Sequence, residues 1–175
     1  TVYRILDTLQ GMGYITQSPD SGKYHLSYKY FILSNAALNI DLKETAHPFM
    51  KQLAELTGEM CHLTVREGDE GVCIDKIEGN KVSAIRINSQ IGKRSALYCS
   101  AFGKVLLSQL TEDELHTIIA RTGLLKKTQN TITDMSMFER EIATVKAQGY
   151  AIDDMENEDN IRCIAAPIFD NSGKI

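Results

Sequence analysis

The chain has 175 residues, of which 43% are hydrophobic and 24% charged, with a formal net charge of -4 at pH 7. That size and apolar content suit one medium domain with its own core plus a smaller piece, and the acidic balance excludes a globally basic nucleic-acid coat while leaving a local DNA-contacting patch open. No stretch approaches the roughly 18 consecutive apolar residues of a membrane-spanning helix, and the four cysteines, Cys61, Cys73, Cys99 and Cys163, lie apart with no C-x-x-C pair, the pattern expected of reduced thiols in a cytoplasmic protein.

In chain order, the first expected element is a helix. Val2, Ile5, Leu6, Leu9 and Met12 recur at the spacing of one helical face, and Gly11 and Gly13 supply stop signals. Two short β-prone runs, 14–17 and 23–26, flank Ser18-Pro19-Asp20-Ser21-Gly22, which predicts a hairpin. Helix then hairpin matches the second half of a winged helix-turn-helix, whose recognition helix sets its N-terminal residues against base edges. On that reading Thr1, Tyr3 and Arg4 are the candidate DNA contacts and Lys23 the candidate phosphate contact from the wing. An ordinary amphipathic helix followed by a hairpin fits the same pattern.

Residues 28–40, YKYFILSNAALNI, are apolar around more than half of a helical circumference, which predicts a helix that is buried or paired with another chain. Leu42, Ala46, Phe49, Met50, Leu53 and Leu56 form a second helical stripe ending at Gly58, with Pro48 either in an early turn or kinking the helix. The texture then changes to strands. Residues 60–66 and 72–77 flank the turn Glu67-Gly68-Asp69-Glu70-Gly71 with the alternation of half-buried antiparallel strands, and 82–87 is another strand candidate. Ser100 is placed to cap a helix running through Leu107, Thr111-Glu112-Asp113-Glu114 reads as a capping box, and Asp134 caps a third helix ending near Gly149. Strands follow at 150–153 and 161–169, then a turn at Asp170-Asn171-Ser172-Gly173. The pattern defines a mixed α+β domain with a mainly antiparallel sheet flanked by helices.

Four blocks, TVYRILDTLQGMGYI, SGKYHLSYKYFILSNAAL, IGKRSALYCSAFGKVLLSQL and DNIRCIAAPIFDNSGKI, occur in this order along essentially the whole chain. Together they resemble the IclR family of bacterial transcriptional regulators. The resemblance implies a winged helix-turn-helix remnant over 1–27, a linker helix over 28–41 and a GAF-like effector domain over 42–175. It also implies that the first DNA-domain helices and the last effector strand and helix lie outside these residues. The expected partners are double-stranded operator DNA for the full-length protein, a small carboxylate or sugar-acid effector, and further copies of the chain in a homodimer or homotetramer. No cofactor, metal or membrane partner is implied. The resemblance further implies an effector that shifts the dimer between DNA-competent and incompetent arrangements, with repression the expected sign.

Carried over from the family, the effector pocket falls on Ser95, Ala101, Phe102, Asp153, Ile161 and Cys163. The residues themselves support part of this. A helix opening at Ser100-Ala101-Phe102-Gly103 presents free N–H groups and a partial positive charge to an anion, and small Ala101 and Gly103 let a carboxylate approach; a plain capped helix is the alternative. Phe102 departs from the small residue expected there, and either narrows the pocket or turns into the core. Cys163 should face away from Ile164, as a pocket thiol or a small core residue. Asp153 precedes an acidic loop, where it either accepts from a ligand hydroxyl or is solvated. Arg86, Lys93 and Arg94 are the nearby cations in sequence.

Two other chemistries fit fewer residues. Cys61-His62 with the other cysteines matches no compact zinc spacing. A GAF-like thiol-dependent reductase would need Cys99 or Cys163 with a lowered thiol pKa, and would have no use for the helix and hairpin at the start. A ligand-free dimerisation module is the remaining alternative.

Overall fold

The computed structural model describes residues 2–30, 40–80 and 90–175. Thr1, most of the expected linker helix over 28–41, and the strand candidate over 82–87 lie outside the described residues. The chain divides into two units, Thr1–Phe49 and Met50–Ile175.

In the first unit the opening apolar stripe forms helix α1, Val2–Gly11. Gly13 takes a left-handed φ of 75°, and the Tyr14 amide returns to the Leu9 carbonyl at 2.8 Å, closing the helix end. Strands β1, Ile15–Gln17, and β2, Tyr24–Leu26, pair antiparallel with Ile15 opposite Leu26. The Lys29 ammonium donates to the Met12 carbonyl at 2.8 Å and lies 4.5 Å from the centre of the Tyr14 ring, joining helix end to hairpin.

Helix α2, Ile40–Thr57, crosses from one unit to the other and carries Pro48 inside it. Proline has no N–H to return to the preceding turn, and the division between units falls one residue later. The expected apolar stripe is only partly buried. Ala46, Met50 and Ala54, at a strict four-residue step, are covered, whereas Phe49, Leu53 and Leu56 are exposed.

In the second unit, β3 (Cys61–Glu67), β4 (Glu70–Ile77) and β5 (Arg94–Ala96) make an antiparallel sheet in that order, with an irregularity between Leu63 and Thr64. Helices α3 (Ala101–Ser108), α4 (Glu112–Thr122) and α5 (Met135–Gln148) follow. Their starts obey the capping chemistry read from sequence. Ser100 accepts from Gly103 N–H, Thr111 and Glu114 complete a capping box, and Asp134 accepts from Met137 N–H. Strands β6 (Ala151–Asp154) and β7 (Arg162–Ala165) form a separate antiparallel pair. β7 ends well short of the expected 169: its partner has only four residues, and Pro167 has no N–H for a ladder.

Helix α3 is the centre of this unit. It packs on β3 and β4, on β6 and β7, and on α5. Leu106 and Leu107 join Leu97, Tyr98 and Phe138 in the main core, and Val105 packs with Val145, Ala151 and Ala165. Burying Leu107 or Phe138 contributes about 1.5–3 kcal/mol each. Gly103 is required for the close approach, since a Cβ there would lie 2.0 Å from the Leu97 carbonyl oxygen.

Candidate functional site

The pocket residues expected from sequence fall into two groups joined by the first turn of α3. In the first group, Asp153 and Cys163 are direct register partners across β6 and β7, so their side chains leave the same face of the pair. Ala151 and Ala165 are partners on that face, which packs on Val105 of α3. Ile161 closes the loop between the strands: its carbonyl accepts from Met155 N–H at 3.1 Å. In the second group, the Phe102 ring lies over Gly71 so closely that a Cβ on Gly71 would sit 2.2 Å from it. Ser95 is the register partner of Gly71. The ring therefore turns onto the sheet and the main core, the second of the two outcomes the sequence left open.

Between the groups stands the start of α3. Ser100 is buried, its hydroxyl donating to the Ala96 carbonyl at 2.8 Å and accepting from Gly103 N–H at 3.3 Å. Ala101 is buried and adds only a methyl group. Cys99 is fully buried, with its thiol 3.4 Å from Asn157 Oδ1. That contact ties the start of α3 to the loop after β6.

Asp153 organises that loop. Its Oδ1 accepts from the Glu156 amide at 2.7 Å and from the Asn157 amide at 3.3 Å. Burial raises its pKa, against those two bonds and the nearby Lys104 and Lys127 charges. Met155 and Asn160 both take left-handed φ values, at 59° and 66°, and bound the loop. For a side chain like methionine's such a backbone persists only when its surroundings hold it. Thr131 and Thr128 supply that hold, donating to the Glu156 carbonyl at 2.7 Å and the Met155 carbonyl at 2.6 Å.

Among the described residues, the cations that reach the loop after β6 include Lys127 and Lys104. Arg94 is committed to Glu67 and Glu70 at the sheet surface, and Arg86 lies outside the described residues. Lys127 instead reaches in, donating to Asn157 Oδ1 at 2.7 Å with its ammonium 5.8 Å from the centre of the Tyr98 ring. Its charge also lies near the Asp153 carboxylate and the Cys99 thiol. Lys104 is buried and held by Glu156 at 2.6 Å and Glu141 at 2.8 Å. Lys104 lies in the third of the four family blocks and Lys127 in none of them, and the packing of the 124–134 segment and α3 against the loop brings both here.

Both thiols near the site are pushed up. Cys99 is raised by burial, with Lys127 acting against it. Cys163 is reachable by solvent yet crowded by protein, and burial, then the Asp153 carboxylate, lift it to about 11. Tyr98, whose hydroxyl donates to the Leu125 carbonyl at 2.8 Å, is raised to about 12, chiefly by burial.

Of the DNA-contact candidates, Tyr3 and Arg4 are exposed on α1 and Lys23 is exposed beside β2, while Thr1 lies outside the described residues.

Comparison with known proteins defines the family. Residues 34–175 match the family model for the bacterial transcriptional regulator IclR C-terminal domain. The whole chain is 39% identical over 176 residues to the HTH-type transcriptional regulator KdgR of Escherichia coli (strain K12), spanning 66% of that protein. The crystal structure of the Thermotoga maritima IclR covers 98% of this chain at 34% identity with a TM-score of 0.75, and the chain spans 69% of it. An IclR homolog from Microbacterium hydrocarbonoxydans, solved in complex with 4-hydroxybenzoate, shares the fold over 99% of this chain and 71% of its own, with a TM-score of 0.85 at 21% identity. The chain belongs to the IclR family, whose members named here are transcriptional regulators. Its α+β architecture, with antiparallel sheets flanked by helices, matches the family's solved structures.

Proposed function

We propose that this chain is the larger part of a cytoplasmic transcriptional repressor whose hold on double-stranded operator DNA is set by a small carboxylate or sugar-acid effector. The carrying observation is that the start of α3, with buried Ser100 and small Ala101, is tied through the Cys99–Asn157 contact to the loop that Asp153 caps and Lys127 reaches. A carboxylate seated there gains charge-assisted hydrogen bonds of roughly 1.5–3 kcal/mol each, and Asp153 and Ser95 remain as partners for hydroxyl groups. The 4-hydroxybenzoate held by the structural neighbour belongs to the same chemical class. Ile161 walls the site on the side of the loop, and Phe102 contributes through its place in the first turn of α3 while its ring rests on Gly71.

Residues 1–27 act as recognition helix and wing, with Thr1, Tyr3 and Arg4 toward bases and Lys23 toward a phosphate; the exposure of Tyr3, Arg4 and Lys23 supports this. Residues 28–41 link them to the effector domain over 42–175. The exposed Phe49, Leu53 and Leu56 stripe on α2 favours a homodimer or homotetramer that covers it. The raised thiols of Cys99 and Cys163 count against a thiol-dependent reductase, which needs a lowered pKa. The reading involves no cofactor.

The test is a thermal-shift screen against small carboxylates and sugar acids. At a hundred times its Kd an effector adds about 2.7 kcal/mol, or roughly 5–10 °C in Tm for a chain of this size. A responder lost in Ala101→Leu supports the site. A folded protein that responds to none of the panel turns the reading toward a ligand-free dimerisation module.

A further inference from the structure

Away from the start of α3, Glu112 and His116 stand one turn apart on one face of α4, and Glu139 reaches them from α5. An imidazole nitrogen and two carboxylate oxygens lie within 4.8 Å of one another. His116 Nε2 is 2.7 Å from Glu139 Oε1. Two carboxylates thus converge on one imidazole, and even a protonated ring leaves negative charge in excess. His116 also lines a concavity of about 400 Å³ with Ile119, Ala120, Leu124, Thr133 and Met135, which leaves room for further ligands on that side.

We propose that Glu112, His116 and Glu139 bind a divalent first-row transition ion, zinc or nickel by donor preference, that clamps α4 to α5. One imidazole with two carboxylates suits these ions better than magnesium or calcium, which take oxygen ligands alone. With metal–ligand distances of roughly 2.0–2.2 Å, tetrahedral ligand atoms stand about 3.4 Å apart. The His116–Glu139 pair therefore opens slightly and the widest separation closes. Both are side-chain adjustments of groups that keep access to solvent. Water or a small anion would complete the coordination, and the concavity beside His116 has room for it. The sequence shows Glu112 and His116 four apart, but Glu139 joins them only through the packing of α4 beside α5.

The experiment titrates chelator-stripped protein with zinc chloride by calorimetry and with cobalt chloride by visible absorption. The expected result is one ion per chain with micromolar affinity and a zinc-dependent rise in Tm. His116→Ala and Glu139→Gln should each weaken binding by at least about tenfold and keep the parent's metal-free Tm. Ala101→Leu should bind zinc as the parent does, so this site is judged separately from the effector reading. The proposal is overturned if no ion binds at about 0.1 mM, if His116→Ala binds as well as the parent, or if cobalt shows a thiolate charge-transfer band, which places the ion on a cysteine.

Discussion

Lys104 Nζ stands 2.6 Å from Glu156 Oε1, with only 1% of the lysine side chain and 8% of the glutamate side chain exposed. The pair ties the first full turn of α3 to the loop that follows β6. Glu141 completes it from α5 at 2.8 Å, while the second Glu156 oxygen is buried with no hydrogen-bond partner among the described residues. Burial pulls the lysine pKa down, but the hydrogen bonds it donates to Glu141 and Glu156, with their charges, outweigh it and the net direction is up. Burial lifts Glu156 above the ordinary carboxylate range. The ion pair thus fixes Asp153, whose carboxylate caps the same loop, relative to Ala101.

Removing the ammonium leaves buried carboxylates uncompensated. Lys104→Met should cost about 3–5 kcal/mol in urea unfolding. The double variant Lys104→Met/Glu156→Leu, which removes charge from both partners, should recover more than half of that loss. A Lys104→Met variant within about 1 kcal/mol of the parent would show that the pair is neutral or water-filled.

The Gly71 and Gly103 contacts differ in what the added methyl group meets. At Gly103 it strikes the Leu97 backbone, which cannot yield, so Gly103→Ala should cost about 3 kcal/mol or more. At Gly71 it strikes the far edge of the Phe102 ring, so Gly71→Ala should cost about 1–3 kcal/mol, and Phe102→Leu should offset part of it. A double-mutant cycle with no coupling would mean that the ring does not rest on Gly71.

Cys163 should be reachable but slow. With its pKa raised from 9.0 to about 11, little thiolate is present near neutral pH. Alkylation by iodoacetamide at pH 8 should run at least about tenfold slower than for free cysteine and keep rising with pH beyond 9. Asp153→Asn removes the facing carboxylate and should speed the reaction. A rate equal to free cysteine at pH 8, followed by peptide mass spectrometry, would refute the raised thiol and reopen the reductase reading.

Lys127 supplies charge where an anionic effector would sit. Lys127→Met should weaken binding of a carboxylate hit from the thermal-shift screen by about tenfold or more, while Tm without ligand stays near the parent's because the side chain is exposed. Unchanged affinity in calorimetry would assign the anion to the helix N–H groups alone.

Local chemistry was legible in the sequence wherever one segment decides its own conformation. The Ser100, Thr111 and Asp134 caps, the hairpin at 15–26 and the paired strands around Gly68 each depend on residues a few positions apart. The family followed from four blocks of residues in order. Tertiary structure alone decided which groups share a site. The Lys104–Glu156 pair spans 52 positions, the Lys127–Asn157 bond 30 and the His116–Glu139 contact 23. Partners at such separations leave no periodic trace in a single sequence, because their meeting depends on how helices and strands pack rather than on spacing along the chain. The same holds for Phe102, whose ring turned onto Gly71 because that glycine left room for it, and for the α2 stripe, in which Phe49, Leu53 and Leu56 are exposed.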